Sequence, residues 1–131
     1  MENTRTLISS GSPYEKPIGF SRAVRTGNVI SVSGTAPISD DGSSAFPGNP
    51  YAQAKRCLEI IERAINQAGG CRAHIVSTRM FITDTNQWQE IARAHGEFFA
   101  EIRPASTCVQ VAGLLDPSWY VEIEADAIVD S

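Results

Sequence analysis

Long apolar runs are absent from this chain. No window of about 18 or more apolar residues occurs, so no membrane-spanning helix is expected. Cysteine is scarce: Cys57, Cys71 and Cys108 are the three present. They are odd in number and lack metal-ligand spacing, so neither a disulfide framework nor a metal site is expected. Cytosolic thiols stay reduced, and Cys57 and Cys71 are expected as small buried hydrophobes. A basic stripe is missing too. Eleven lysines and arginines face 15 acids, for a net charge of −4. The cations are scattered, with pairs such as Arg22 and Arg25 but no long cluster, which argues against a nucleic-acid partner. Met1-Glu2-Asn3-Thr4-Arg5 lacks the charged and apolar regions of a signal peptide, so a cytoplasmic protein is expected. No glycine-rich phosphate loop, nucleophile elbow, internal repeat or linker stands out.

What is present suits one domain over residues 1–131. Thr6 to Ser9 reads as a short strand, followed by a polar loop to Pro17. Ser21 to Arg25 and Val29 to Ser33 read as a hairpin, with Gly27-Asn28 supplying residues that tolerate positive φ. Residues 35 to 49 carry Pro37, Asp40-Asp41-Gly42 and Pro47-Gly48, which predicts a long surface loop. Asn49 then serves as an N-cap and Pro50 as a first helical residue. Ala54, Leu58, Ile61, Ile65 and Ala68 recur at helical spacing, and Gly69-Gly70 stops the helix. Lys55, Glu59 and Arg63 lie four apart, which predicts weak ion pairing on the outer face.

Ile75 to Ile82 is a strand, with Val76, Thr78, Met80 and Ile82 expected toward the helices and Arg79 on the other face. A second helix follows Asp84 or Thr85, with Trp88, Ile91, Ala92, His95, Phe98 and Phe99 as its apolar stripe. His95 is read there as a core or interface histidine with one hydrogen bond; a general base would need a pocket beside it. Ala105 to Val111 and Tyr120 to Val129 alternate as closing strands. The order is β-β-β-α-β-α-β-β, a mixed and mainly antiparallel α+β sheet with both helices on one face. The open face is expected to carry Ser33, Arg79, Cys108 and Glu122, with Glu124 and Asp126 beside Glu122. That face is too polar for a core, so a closed homotrimer is expected to cover it.

The last strands carry recognisable residues. Arg103-Pro104-Ala105-Ser106-Thr107-Cys108-Val109-Gln110-Val111, followed by Val121-Glu122-Ile123-Glu124-Ala125, resembles the signature of the RidA/YjgF family. Gly27 to Thr35, the Ala68-Gly69-Gly70 helix end and Phe81-Ile82-Thr83-Asp84 are similar to it as well. The resemblance implies a chorismate-mutase-like fold and a homotrimer with a small-molecule pocket at each subunit interface. It implies hydrolysis of reactive imines and enamines to carbonyl compounds and ammonia, with no cofactor and no metal. An arginine would hold the substrate carboxylate, and a glutamate with backbone groups would position water. Ser33, Gly34, Cys108 and Glu122 fall on matching positions, while the family's pocket arginine falls on Ser106. A pocket tyrosine falls near Phe20 or Ser21, and an asparagine of the second helix near Ala92. The chain thus resembles a divergent branch.

The candidate catalytic residue is Glu122; the candidate substrate-binding residues are Ser33, Gly34, Arg103, Ser106, Thr107 and Cys108. Arg103 precedes Ser106 by three positions, so strand alternation sends it to the opposite face, unless Pro104 breaks the pairing. Two readings stay open: an imine or enamine hydrolase, and a non-catalytic metabolite-binding module. RNA cleavage, a third activity ascribed to the family, finds no aromatic-basic groove here.

Overall fold

The computed structural model describes residues 4–130. Met1, Glu2 and Asn3, part of the N-terminal stretch considered above, lie outside the described residues, as does Ser131. Six strands form one sheet: β1 (Arg5–Ile8), β2 (Ala23–Thr26), β3 (Val29–Thr35), β4 (Ile75–Ile82), β5 (Ala105–Gln110) and β6 (Val121–Ile128). Their order is β1-β2-β3-β6-β4-β5. Every neighbouring pair is antiparallel except β4 and β5. A parallel pair needs a crossover of a dozen or so residues, usually a helix. Of the helices α1 (Glu15–Ile18), α2 (Pro50–Gln67) and α3 (Trp88–Phe99), the last makes that crossover.

The core lies between one face of the sheet and the two long helices. Leu58, Ile61 and Ile65 of α2 and Ile91 and Phe99 of α3 are buried against Ile30, Val32, Met80, Ile123 and Ala125. Asn49 caps α2 as its side chain accepts from the Ala52 amide at 3.0 Å, with Pro50 in the first turn. The helix ends at Ala68, and Gly69 turns out of it at φ 92°.

The structure departs from the sequence reading in several places. The polar loop before Pro17 contains the one-turn α1, tied down as Ser10 donates to Glu15 through its amide and its hydroxyl. Lys55, Glu59 and Arg63 do not pair with one another. Arg56 reaches Glu59 at 3.6 Å, and Arg56 and Arg63 both reach Asp40 of the preceding loop. That loop is not all surface: Pro37 and Ala45 are buried. Gln53, a polar residue inside the apolar stripe, is fully buried because it binds two loops. Its amide group donates to Phe46 and Ser118 carbonyls and accepts from the Tyr120 amide.

A register shift against β6 between Ile75 and Ser77 breaks the expected alternation at the start of β4. Ile75 therefore joins the core and Val76 is exposed, while Thr78, Met80 and Ile82 point inward as expected. Ala94 rather than Trp88 completes the buried side of α3, because a short 3-10 turn at Thr85–Gln87 precedes the helix and leaves Trp88 at its outer start. Cys57 is buried, but Cys71 is exposed at the start of a 3-10 turn.

Candidate functional site

The expected site residues fall into two groups, and both arise from strand geometry. The first is built on a bulge. Val32 pairs with Ala125 and Thr35 with Ile123, so Ser33 and Gly34 of β3 together stand opposite the single residue Glu124 of β6. Val32 and Thr35 both stay buried, which leaves Ser33 and Gly34 to fill the step between them. Gly34 turns its bare Cα toward Glu122: a Cβ there would sit 2.5 Å from Glu122 Oε2. Ser33 Oγ donates to the Ser21 carbonyl.

Arg22 braces this bulge. Its Nη2 donates to the Gly34 carbonyl at 2.7 Å, and its guanidinium lies 6.0 Å from the Phe20 ring centre. Its Nε is buried without a partner among the described residues. Sequence reasoning treated Arg22 only as part of a charge count; its place beside the bulge depends on the β2–β3 pairing.

Glu122 belongs to the acid row of β6, and its surroundings set it apart. Arg79 binds the other two acids, with its Nε on Glu124 and its Nη2 on Asp126 at 2.8 Å. Glu122 has no ion pair among the described residues and is half-buried. Burial holds its carboxyl above the usual carboxylate range, Arg22 partly opposes that, and Glu124 adds to it. A proton-exchanging group is most effective when its pKa approaches the working pH.

The second group lies on β5, at the sheet edge. Ser106 and Cys108 pair with Thr78 and Met80, so both project to the helix side. This corrects the expectation that Cys108 shares the open face with Glu122. In a parallel pair, partners in register point the same way, and Met80 is in the core. Cys108 packs against that core, and burial raises its thiol pKa, so it is no thiolate nucleophile at neutral pH. Thr107 pairs with Arg79 and projects to the open face. Arg103 precedes β5 with φ 51° and is exposed, so strand alternation does not govern it. No ion pair holds it among the described residues.

Within one chain these groups stay apart. β4 separates β5 from β6, a span of roughly 10 Å at ordinary strand spacing, and Ser106 and Glu122 lie on opposite faces. A shallow cleft of about 150 Å³ beside Arg22 is lined by Ser9, Ser10, Ile60 and Arg63 among others, and by none of the expected site residues. No group of three or more His, Cys, Asp or Glu side chains suited to a metal ion occurs among the described residues.

Residues 14–129 match the model of a family described as Endoribonuclease L-PSP. The chain belongs to the RidA/YjgF family. The 3-aminoacrylate deaminase RutC of Acinetobacter baylyi is 33% identical over 124 residues, covering 94% of this chain and 96% of RutC. Among solved structures, Rv2704 of Mycobacterium tuberculosis, a member of the YjgF/YER057c/UK114 family, is 42% identical with a TM-score of 0.86. That match covers 96% of this chain and all of Rv2704. Escherichia coli TdcF, solved with bound serine, is 28% identical with a TM-score of 0.79, over 95% of this chain and 94% of TdcF. The RidA/YjgF fold is thus shared along nearly the whole chain.

Proposed function

We propose that this protein hydrolyses small reactive imines or enamines to carbonyl compounds and ammonia, in pockets between the subunits of a homotrimer. The observation that carries the reading is Glu122: a half-buried carboxyl without an ion pair among the described residues, beside a glycine whose missing Cβ leaves it room. The relationship to an aminoacrylate deaminase supports the substrate class. The separation of the two residue groups supports the subunit arrangement. A neighbouring copy docked along the polar face and the exposed β5 edge would complete one group with the other.

In such a pocket, Glu122 exchanges a proton with the reacting C=N system, and the Ser33-Gly34 bulge and Thr107 offer hydrogen bonds. Ser106 stands where the resemblance predicts arginine, so the favoured substrates are ones that do not depend on a guanidinium for their carboxylate. No cofactor enters this scheme. A second reading, endoribonuclease, has the family model's description in its favour. The acid row of β6 and the net charge of −4 oppose it.

The test is a deaminase assay on freshly generated imines, with and without Glu122→Gln. The substitution keeps shape and removes the proton-exchanging group, so kcat is expected to fall by about 10²–10⁴-fold. An unchanged rate removes Glu122 from the mechanism. A folded wild-type protein that binds 2-keto acids but turns over no imine supports the metabolite-binding alternative instead.

A further inference from the structure

Thr78 is a lone hydroxyl in the buried face of β4, 1% exposed. Its Oγ1 lies 2.8 Å from Ser106 Oγ and 2.9 Å from His95 Nε2. A hydroxyl has one proton and two lone pairs. With Thr78 donating to Ser106, it accepts from His95 Nε2–H; with the other imidazole tautomer both hydroxyls turn, so that Ser106 donates to Thr78 and Thr78 to His95 Nε2. The three groups then form one directed chain, from the exposed Ser106 on β5 inward to a half-buried imidazole on α3.

The far end is suited to accepting a proton. Thr78 is the imidazole's one hydrogen-bond partner among the described residues, and the ring rests against Phe99 with centroids 4.6 Å apart. Burial holds its pKa below the ordinary histidine value, so it is neutral at pH 7. The charged groups of the surrounding elements are engaged elsewhere. On α3, Arg93 binds Glu90 and Glu97; beside α2, Arg72 binds Glu62 and Lys55 lies over Tyr51. On β4, Arg79 serves Glu124 and Asp126 on the opposite face. On β5, burial raises the thiol pKa of Cys108 and keeps it neutral.

We propose that Ser106, Thr78 and His95 form a proton relay that deprotonates the water attacking the substrate's C=N carbon. The proposal rests on the hydrolase reading above and adds the second proton carrier that reaction needs. Water oxygen bonds to the carbon while its proton passes to Ser106 Oγ. The Ser106 proton moves to Thr78, and the Thr78 proton to His95 Nε2. The C=N electron pair moves to nitrogen, which takes the proton of Glu122. In the second step the C–N bond breaks and its electron pair leaves with nitrogen. The imidazolium proton returns along the chain to make ammonia, and the carbinol proton returns to Glu122. His95 acts through two hydroxyls and is a positioning residue that also stores the proton.

The experiment measures kcat, KM and the pH profile of imine hydrolysis for the wild type, His95→Gln, Thr78→Val and Thr78→Ser, each checked by thermal unfolding. His95→Gln keeps a hydrogen bond but cannot take the proton. It is expected to lose kcat by about 10²–10⁴-fold, with KM little changed. Thr78→Val, of nearly equal shape, is expected to lose a similar factor, and Thr78→Ser to recover the rate. The wild type is expected to lose activity as pH falls below the ordinary histidine value of about 6.5, and this acid limb should vanish in His95→Gln. If Thr78→Val does not fold, His95→Gln and Thr78→Ser still decide. Wild-type turnover that is abolished by Glu122→Gln but intact in His95→Gln overturns the relay alone. A folded wild type without turnover overturns the hydrolase reading and the relay together.

Discussion

Gly34 is a residue whose missing side chain leaves room for another. The space a Cβ would take is held by the carboxylate of Glu122, at 2.5 Å, closer than real Cβ contacts come. The displaced atom would be the end of a flexible side chain rather than backbone, so the protein can yield without unfolding. Gly34→Ala is therefore expected to push the carboxylate aside and lower kcat at least tenfold, while stability shifts by no more than about 1 kcal/mol. Measuring kcat beside the melting temperature checks this. Normal kcat would mean that Glu122 does not act from this position. The same residue-scale logic sorts the three cysteines. Cys57 is sealed on the inner face of α2, and burial pushes its thiol pKa up; Cys108 is part-covered at the sheet edge, and Cys71 is open.

At the scale of elements, α2 holds the site's supports in place. It packs on β3 and β6, the strands that carry Gly34 and Glu122, and its Gln53 fastens the loops on either side. Its start depends on Asn49, whose side chain satisfies an amide at the first turn that no helical carbonyl can reach. Asn49→Ala is expected to cost about 0.5–2 kcal/mol, read as a lower denaturation midpoint with an unchanged slope. An unaltered midpoint would show that the Pro50 start alone suffices. Elements were also where the sequence reading was most successful. A helix of 18 residues repeats its apolar period five times, so one exception such as Gln53 does not hide it. A strand such as β4 has too few repeats to reveal the bulge that exchanges Ile75 for Val76.

At the scale of the whole molecule, the open face is the unresolved demand. Glu122, Glu124, Asp126, Arg79 and Ser77 share it, and Ser77 and Arg79 both bind Asp126. Val109 on the β5 edge and Leu115 nearby are exposed apolar residues. A homotrimer of cyclic symmetry would cover both features. Light scattering at micromolar concentration is expected to return three times the chain mass. A mass of 14.2 kDa would remove the intersubunit pocket, since one chain keeps Ser106 and Glu122 on opposite faces.

Periodicity and local chemistry were enough to determine the six strands and the two long helices, their order, and most of the buried residues of α2 and β6. Those signals depend on spacings of two and 3.6 residues, which any chain carries in its own order. The family resemblance likewise rested on contiguous motifs. What no spacing could decide was which side of the sheet each motif serves. Cys108 went to the helix side because β5 runs parallel to β4 in a particular register, a pairing between residues 28 or so positions apart. Arg22 became a brace for Gly34, and Thr78 became the link between Ser106 and His95, for the same reason. Hydrogen bonds between side chains distant in sequence depend on strand order and register, and only the folded chain sets those.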